Sequence, residues 1–231
     1  MALHNKIAPQ WQGQPCFVLA TGPSLTSEVV HKIRMARMEY QWNALLINDA
    51  YKLAPWADAL YAADNGWWGT HGDCFRGQKW ACHQDIEGNS KLHLVEKLGL
   101  NLVRSKDGDT FSTDQSVIHH GSNSGFQAIN LAMHFGCKFI VLVGFDMRIV
   151  DGNAHFFGRH PDPLGNGDDR TYSNFASAFH AASKSLPEGV TILNATPNSA
   201  LKCFPMVSIG EAIERYNRLH WDRPESNSVT S

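Results

Sequence analysis

Residues 121–146, GSNSGFQAINLAMHFGCKFIVLVGFD, constrain this chain more than any other stretch. Gly125, Ala128, Ile129 and Ala132 recur at helical spacing, and Gly136-Cys137-Lys138 closes that helix. Phe139 to Val143 is an unbroken apolar run of the kind that forms a buried parallel strand. Gly144 and Asp146 fall where that strand stops, and ligands of open α/β sheets gather at the carboxyl ends of strands. The residues that open the helix, Asn123, Ser124 and Gly125, suit two roles. They cap the helix, and they leave backbone N–H groups and the positive end of its dipole to meet an anion.

The same alternation runs through the rest of the chain. Strands are predicted at Cys16–Ala20, Ala44–Ile47, Ala59–Ala63, Lys79–Cys82 and Val190–Leu193, with an edge strand at Leu100–Val103. Helices are predicted at Thr26–Met38, Ser90–Leu98, Tyr172–Ser185 and Ser208–Leu219, the first capped by Ser24 or Thr26. The expected fold is α/β, a Rossmann-like, mostly parallel sheet with helices on both faces. A polar lead-in (1–14) precedes a single domain (15–222), and the tail (223–231) reads as disordered. The loop 146–172 is rich in Gly, Asp, His and Pro. It is long enough to read as a functional lid.

Composition narrows the function. A formal charge of −2 does not call for a nucleic acid or an acidic membrane partner, and no apolar run approaches a membrane span. The five cysteines are scattered without a CxxC, so neither a disulfide framework nor a zinc knuckle is indicated. With no apolar leader in the first residues, the expected compartment is the cytoplasm. The aromatic clusters Trp67-Trp68, Trp80 and Phe156-Phe157 read as core packing by default, with an apolar wall beside a site as the alternative, and any exposed aromatics between 67 and 80 would suit a homo-oligomeric interface.

Four strand ends carry polar or flexible residues: Thr21-Gly22-Pro23-Ser24, Asn48-Asp49, Asp64-Asn65 and Asp146. On neighbouring strands they would line one crevice. Gly22 lets the backbone approach a ligand, and Ser24 opens a helix able to face a phosphate, although a plain turn explains both. There is no GxGxxG and no GxxxxGK[ST], which argues against a dinucleotide fold and a P-loop ATPase. The loop supplies His155 and His160 as candidate bases, Arg159 as a phosphate-binding cation, and Asp151 as a second acid. Asp146 and Asp151 together suit a Mg²⁺ held largely through phosphate oxygens. The alternative is a solvated loop whose histidines do nothing. Asn194 to Ser199 forms a compact Asx and Pro turn.

In order, Gly22-Pro23-Ser24-Leu25, Asn48, Ser124-Gly125 leading into Leu142-Val143-Gly144-Phe145-Asp146, and Pro197-Asn198-Ser199 resemble a known set. It is that of the small sialyltransferases of bacterial lipooligosaccharide and of the wider group holding the archaeal-type 6-hydroxymethyl-dihydropterin pyrophosphokinase, some phage-borne. The resemblance spans roughly residues 15–215. It implies a nucleotide site with Gly22, Pro23 and Ser24 near phosphate or ribose, and with Asn48 and Asp64 along the nucleotide. Asn123, Ser124 and Gly125 would lie at the helix start, with Pro197, Asn198 and Ser199 flanking the base. It implies a nucleotide-sugar donor and a small-molecule or glycan acceptor. The pyrophosphokinase relatives imply instead a diphosphate transfer with Mg²⁺, and loss of catalysis would leave a nucleotide- or partner-binding module. The catalytic half departs from the sialyltransferase pattern. No His falls near 169–172, and His155 stands where a phosphate-binding Tyr is expected.

Overall fold

The computed structural model describes residues 6–83, 92–161 and 164–220. Eight strands form one sheet: β1 (Pro15–Leu19), β2 (Asn43–Ile47), β3 (Ala59–Tyr61), β4 (Gln78–His83), β5 (Leu100–Lys106), β6 (Val117–His119), β7 (Phe139–Val143) and β8 (Thr191–Asn194). Their order is β6-β5-β4-β3-β2-β1-β7-β8, and every pairing is parallel. The expected fold class therefore holds, with a sheet that is wholly rather than mostly parallel. β1 and β7 are buried at every position, which is why both read as continuous apolar runs.

Among the described residues six α-helices cover both faces. On one lie α1 (Ser27–Tyr40), α2 (Asn65–His71), α3 (Leu92–Leu98) and α6 (Ile209–His220); on the other lie α4 (Ser124–His134) and α5 (Asp169–Ser183). Thr26 caps α1 by accepting a 3.2 Å bond from Val29 N–H, and Asn123 caps α4 by accepting 2.8 Å from Phe126 N–H. Residues 6–14 are docked on the α4 face, where Ile7 and Trp11 are buried and Trp11 N–H donates to Phe135 O at 2.7 Å. Among the described residues no helix is long and apolar enough to cross a membrane.

Several local expectations change. Leu100–Lys106 is an inner strand, because β6, unrecognised in sequence at three residues, pairs along its outer side. A 3-10 helix over Asn48–Lys52 and the helix α2 also went unpredicted. Trp67, Trp68 and Phe75 are buried and Trp80 half-buried, so these aromatics pack as core, the default reading, and do not form an exposed interface patch. The start of the helix expected from Ser90 and the tail 223–231 lie outside the described residues.

The topology positions the site. The chain steps outward from β1 to β6, then returns to the other side of β1 with β7 and β8. Helix α1 leaves β1 on one face and α4 enters β7 from the opposite face. The loops beyond β1 and β7 therefore diverge, and a crevice opens at the carboxyl ends of the strands. Helix α4 is buried nearly all round, beyond the single apolar face its spacing suggests. Its polar residues are paired inside the core. Asn130 Oδ1 accepts from Ser112 N–H at 2.9 Å and His119 N–H at 3.0 Å, and Gln127 Nε2 donates to His120 O at 2.9 Å. These bonds anchor the loop in front of the helix, so the start of α4 is held in place.

Candidate functional site

A cleft of about 660 Å³ occupies this crevice. Gly22, Asn48, Asp64, Asn123, Ser124, Gly125, Asp146, His155 and His160, all anticipated from sequence, line it together. Residues from five separate stretches thus meet at one place. Neither a family model nor a curated protein sequence matches the chain.

The floor is the junction of β1 and β7. Gly22 N–H donates to Gly144 O at 2.9 Å, and Ser24 Oγ donates to Asp146 Oδ2 at 2.7 Å. A Cβ on Gly22 would lie 2.0 Å from Asp146 Oδ2 and 2.4 Å from Gly144 O. Glycine is thus required there by the protein's own packing. Pro23 and Ser24 stand behind the lining, and Ser24 acts on the cleft through Asp146. Burial pushes Asp146 above the ordinary carboxylate range, against the bonds from Ser24 and the charge of nearby Arg148.

At the start of α4, Asn123 takes the Phe126 N–H through its side chain and the Gln127 N–H through its carbonyl. The Ser124 and Gly125 N–H groups remain at the lining, at the positive end of an 11-residue helix. Sequence reasoning chose Arg159 as the phosphate-binding cation, but Arg159 is exposed and outside the lining. Arg148, which it passed over, lines the cleft, and its Nε donates to Asn198 O at 3.1 Å.

The Asn194–Ser199 turn is placed differently from its expected role beside a nucleobase. Pro197, Asn198 and Ser199 do not line the cleft. Ser199 is buried, donating to Phe145 O at 2.5 Å and accepting from Leu201 N–H at 3.0 Å. Thr196 Oγ1 accepts from Phe145 N–H at 2.9 Å. The turn therefore braces the backbone that carries Asp146 and Arg148.

The described residues of the loop, 146–161 and 164–172, meet the cleft through tight turns. Phe156 N–H donates to Thr21 O at 2.9 Å, and Asn166 Oδ1 accepts from His160 N–H at 2.7 Å. His155 Nδ1 lies 2.9 Å from Thr21 Oγ1 and its ring centroid 4.6 Å from that of His160. Burial, then the neighbouring His160, pushes His155 down to about 4, and burial likewise holds His160 below its ordinary range. Both imidazoles are neutral at pH 7 and able to accept protons. Asp151 is exposed and outside the lining, so it does not join Asp146. Among the described residues no three His, Cys, Asp or Glu side chains group as metal ligands.

Sequence reading left Asp49 without a role. It follows β2 and is fully buried, with Trp67 Nε1 donating to Oδ2 at 2.8 Å and Lys52 Nζ 2.5 Å from Oδ1. Burial alone would raise this carboxyl, but the bonds from Lys52 and Trp67 and the nearby His71 outweigh it and hold the pKa low. Asn48 beside it has a φ of 48°, and its Oδ1 is buried without a hydrogen-bond partner. Asn48 thus presents an acceptor at the cleft wall, with no hydrogen bond among the described residues, that is open to a hydrogen-bond donor.

Proposed function

We propose that the chain is a nucleotide-dependent transferase, and that its donor is a nucleotide-sugar. What carries this reading is the meeting, in one switch-point cleft, of an open helix N-terminus, Arg148 and two neutral imidazoles. The Ser124 and Gly125 N–H groups and Arg148 suit a phosphate, and Asn48 Oδ1 and Asp64 suit N–H or O–H donors of the nucleoside. In the transfer, an acceptor hydroxyl gives its proton to His155 or His160, and its oxygen bonds to the anomeric carbon. The bond from that carbon to the phosphate oxygen breaks, and the electron pair leaves on the nucleotide. The helix terminus and Arg148 stabilise that growing negative charge.

A diphosphotransferase is the second reading, favoured by Asp146, a buried carboxylate at the lining with one oxygen tied to Ser24. There the protein would offer Mg²⁺ chiefly Asp146, and a triphosphate would supply further oxygens. Thermal-shift measurements with CMP, UDP, GDP, CTP and ATP, each with and without Mg²⁺, separate the two. Stabilisation by a nucleoside mono- or diphosphate without metal supports glycosyl transfer. A shift confined to a triphosphate with Mg²⁺ supports diphosphate transfer, and no shift with any of them overturns both. A shift with no turnover of any sugar donor would leave a binding module.

A further inference from the structure

The two histidines of the cleft have different partners. His155 Nδ1 faces the Thr21 hydroxyl at 2.9 Å, whereas His160 Nδ1 faces Asp49 Oδ2 at 3.7 Å. On the far side of the same carboxylate, His71 Nε2 lies 3.6 Å from Oδ1. His71 is fixed by stacking on Trp67 at 4.4 Å and by Tyr51 Oη, 3.1 Å from its Nδ1. His160 Nδ1 and His71 Nε2 are both buried, and neither has a hydrogen-bond partner among the described residues. Lys52 and Trp67 already stabilise this buried carboxylate, and two imidazole nitrogens without hydrogen bonds face it as well.

We propose that Asp49 is a positioning residue that sets His160 apart from His155 as the base. Asp49 keeps Nδ1–H of His160 toward its carboxylate, which leaves Nε2 to take the substrate proton. Thr21 donates to Nδ1 of His155, which makes the Nε2–H of His155 a hydrogen-bond donor to the substrate. When Nε2 of His160 accepts the proton, Nδ1–H closes on Asp49 Oδ2, and Asp49 stays ionised. The 3.7 Å separation is that of a resting site; such bonds shorten when substrate binds. The charges facing His160 are Asp49 and Asp64, which favour the imidazolium, and Lys52, which opposes it; His155 and His71 oppose it when protonated. The roles of base and donor rest on the transferase reading. The pairing of His160 with Asp49 does not.

Long-range ¹H–¹⁵N imidazole spectra of the full chain test this, with His155 and His160 assigned from H155Q and H160Q. The wild type should show His160 as the Nδ1–H tautomer and His155 as the Nε2–H tautomer. An Nε2–H tautomer at His160 overturns the proposal, whether or not any Asp49 variant folds. In D49N, which keeps an acceptor for Trp67, the His160 pKa should fall and its tautomers mix, while His155, whose pKa the same carboxylate also raises, should keep its Nε2–H tautomer. An unchanged His160 in folded D49N also overturns it. With the donor found by thermal shift, H160Q should lose about a hundredfold in kcat, the usual weight of a general base. D49N should shift the acid limb of the pH–rate profile and leave KM in place, whereas H155Q should raise KM. The expected tautomers without any nucleotide binding would support the Asp49 pairing and sink the transferase reading. Nucleotide binding with the wrong His160 tautomer would sink this inference alone.

Discussion

The two walls of the cleft are built on opposite principles. At the β1/β7 wall the polar groups are paired within the protein. Ser24 bonds Asp146, Thr196 and Ser199 hold both backbone groups of Phe145, and Asn198 O receives Arg148. On the β2/β3 side, Asn48 Oδ1 at the cleft wall and, behind it, Asn65 Oδ1 and His71 Nε2 are buried with no hydrogen bond among the described residues, as is Nδ1 of His160, which the loop after β7 brings against them. Native proteins leave few such groups unpaired, so the gathering of these four sets this side apart from the braced β1/β7 side. One wall fixes the backbone; the other leaves an acceptor and imidazole nitrogens open to a ligand or to Asp49.

Substitutions can break that contrast. The largest effect is expected from Gly22→Ala, whose Cβ would meet Asp146 and Gly144 well inside contact distance. Overpacking of this kind costs about 3 kcal/mol, or roughly 6–12 °C in Tm for a chain of this length. A melt within a degree of wild type would show that the β1/β7 wall yields easily. Ser199→Ala removes two buried bonds and should cost about 1–3 kcal/mol in a urea titration. Asn48→Gly should do the reverse, because it deletes an unpaired acceptor and relieves a positive φ. Stability should rise by up to about 1 kcal/mol while nucleotide-induced stabilisation weakens. If Asn48→Gly destabilises as Ser199→Ala does, the two walls are not different in kind.

His155 sharpens the same comparison through pH. Its pKa in the fold, about 4, lies below the ordinary imidazole value, so the fold prefers its neutral form. Its contribution is therefore present above about pH 6.5 and is lost as the pH falls toward about 4. The Tm of His155→Asn should fall less over that window than the Tm of wild type; parallel curves would refute the buried, neutral state. The smallest change is expected from Asn198→Gly. Its φ of 54° suits glycine, and Arg148 is held by the backbone carbonyl, so stability should move by less than about 1 kcal/mol. A larger loss would assign the Asn198 side chain a role its placement does not suggest.

The amino-acid sequence by itself determined the parallel α/β sheet, because buried strands and capped helices are local patterns. Phe139 to Val143 is apolar throughout, and Thr26 and Asn123 each cap a helix through the residue three positions on. Much of the cleft was legible too, since polar residues at the ends of parallel strands converge once the topology is known. Other features depended on contacts between distant segments. Arg148 rather than Arg159 faces the cleft because Asn198, fifty residues on, anchors its side chain. Ser199 serves as a brace because it reaches Phe145 across the β7–β8 junction. Asp49 looked like one polar residue beside another at a strand end. Only the tertiary structure brings Trp67, His71 and His160 to its two oxygens, because burial strengthens a charge's pull on its neighbours and no local pattern encodes which neighbours those are.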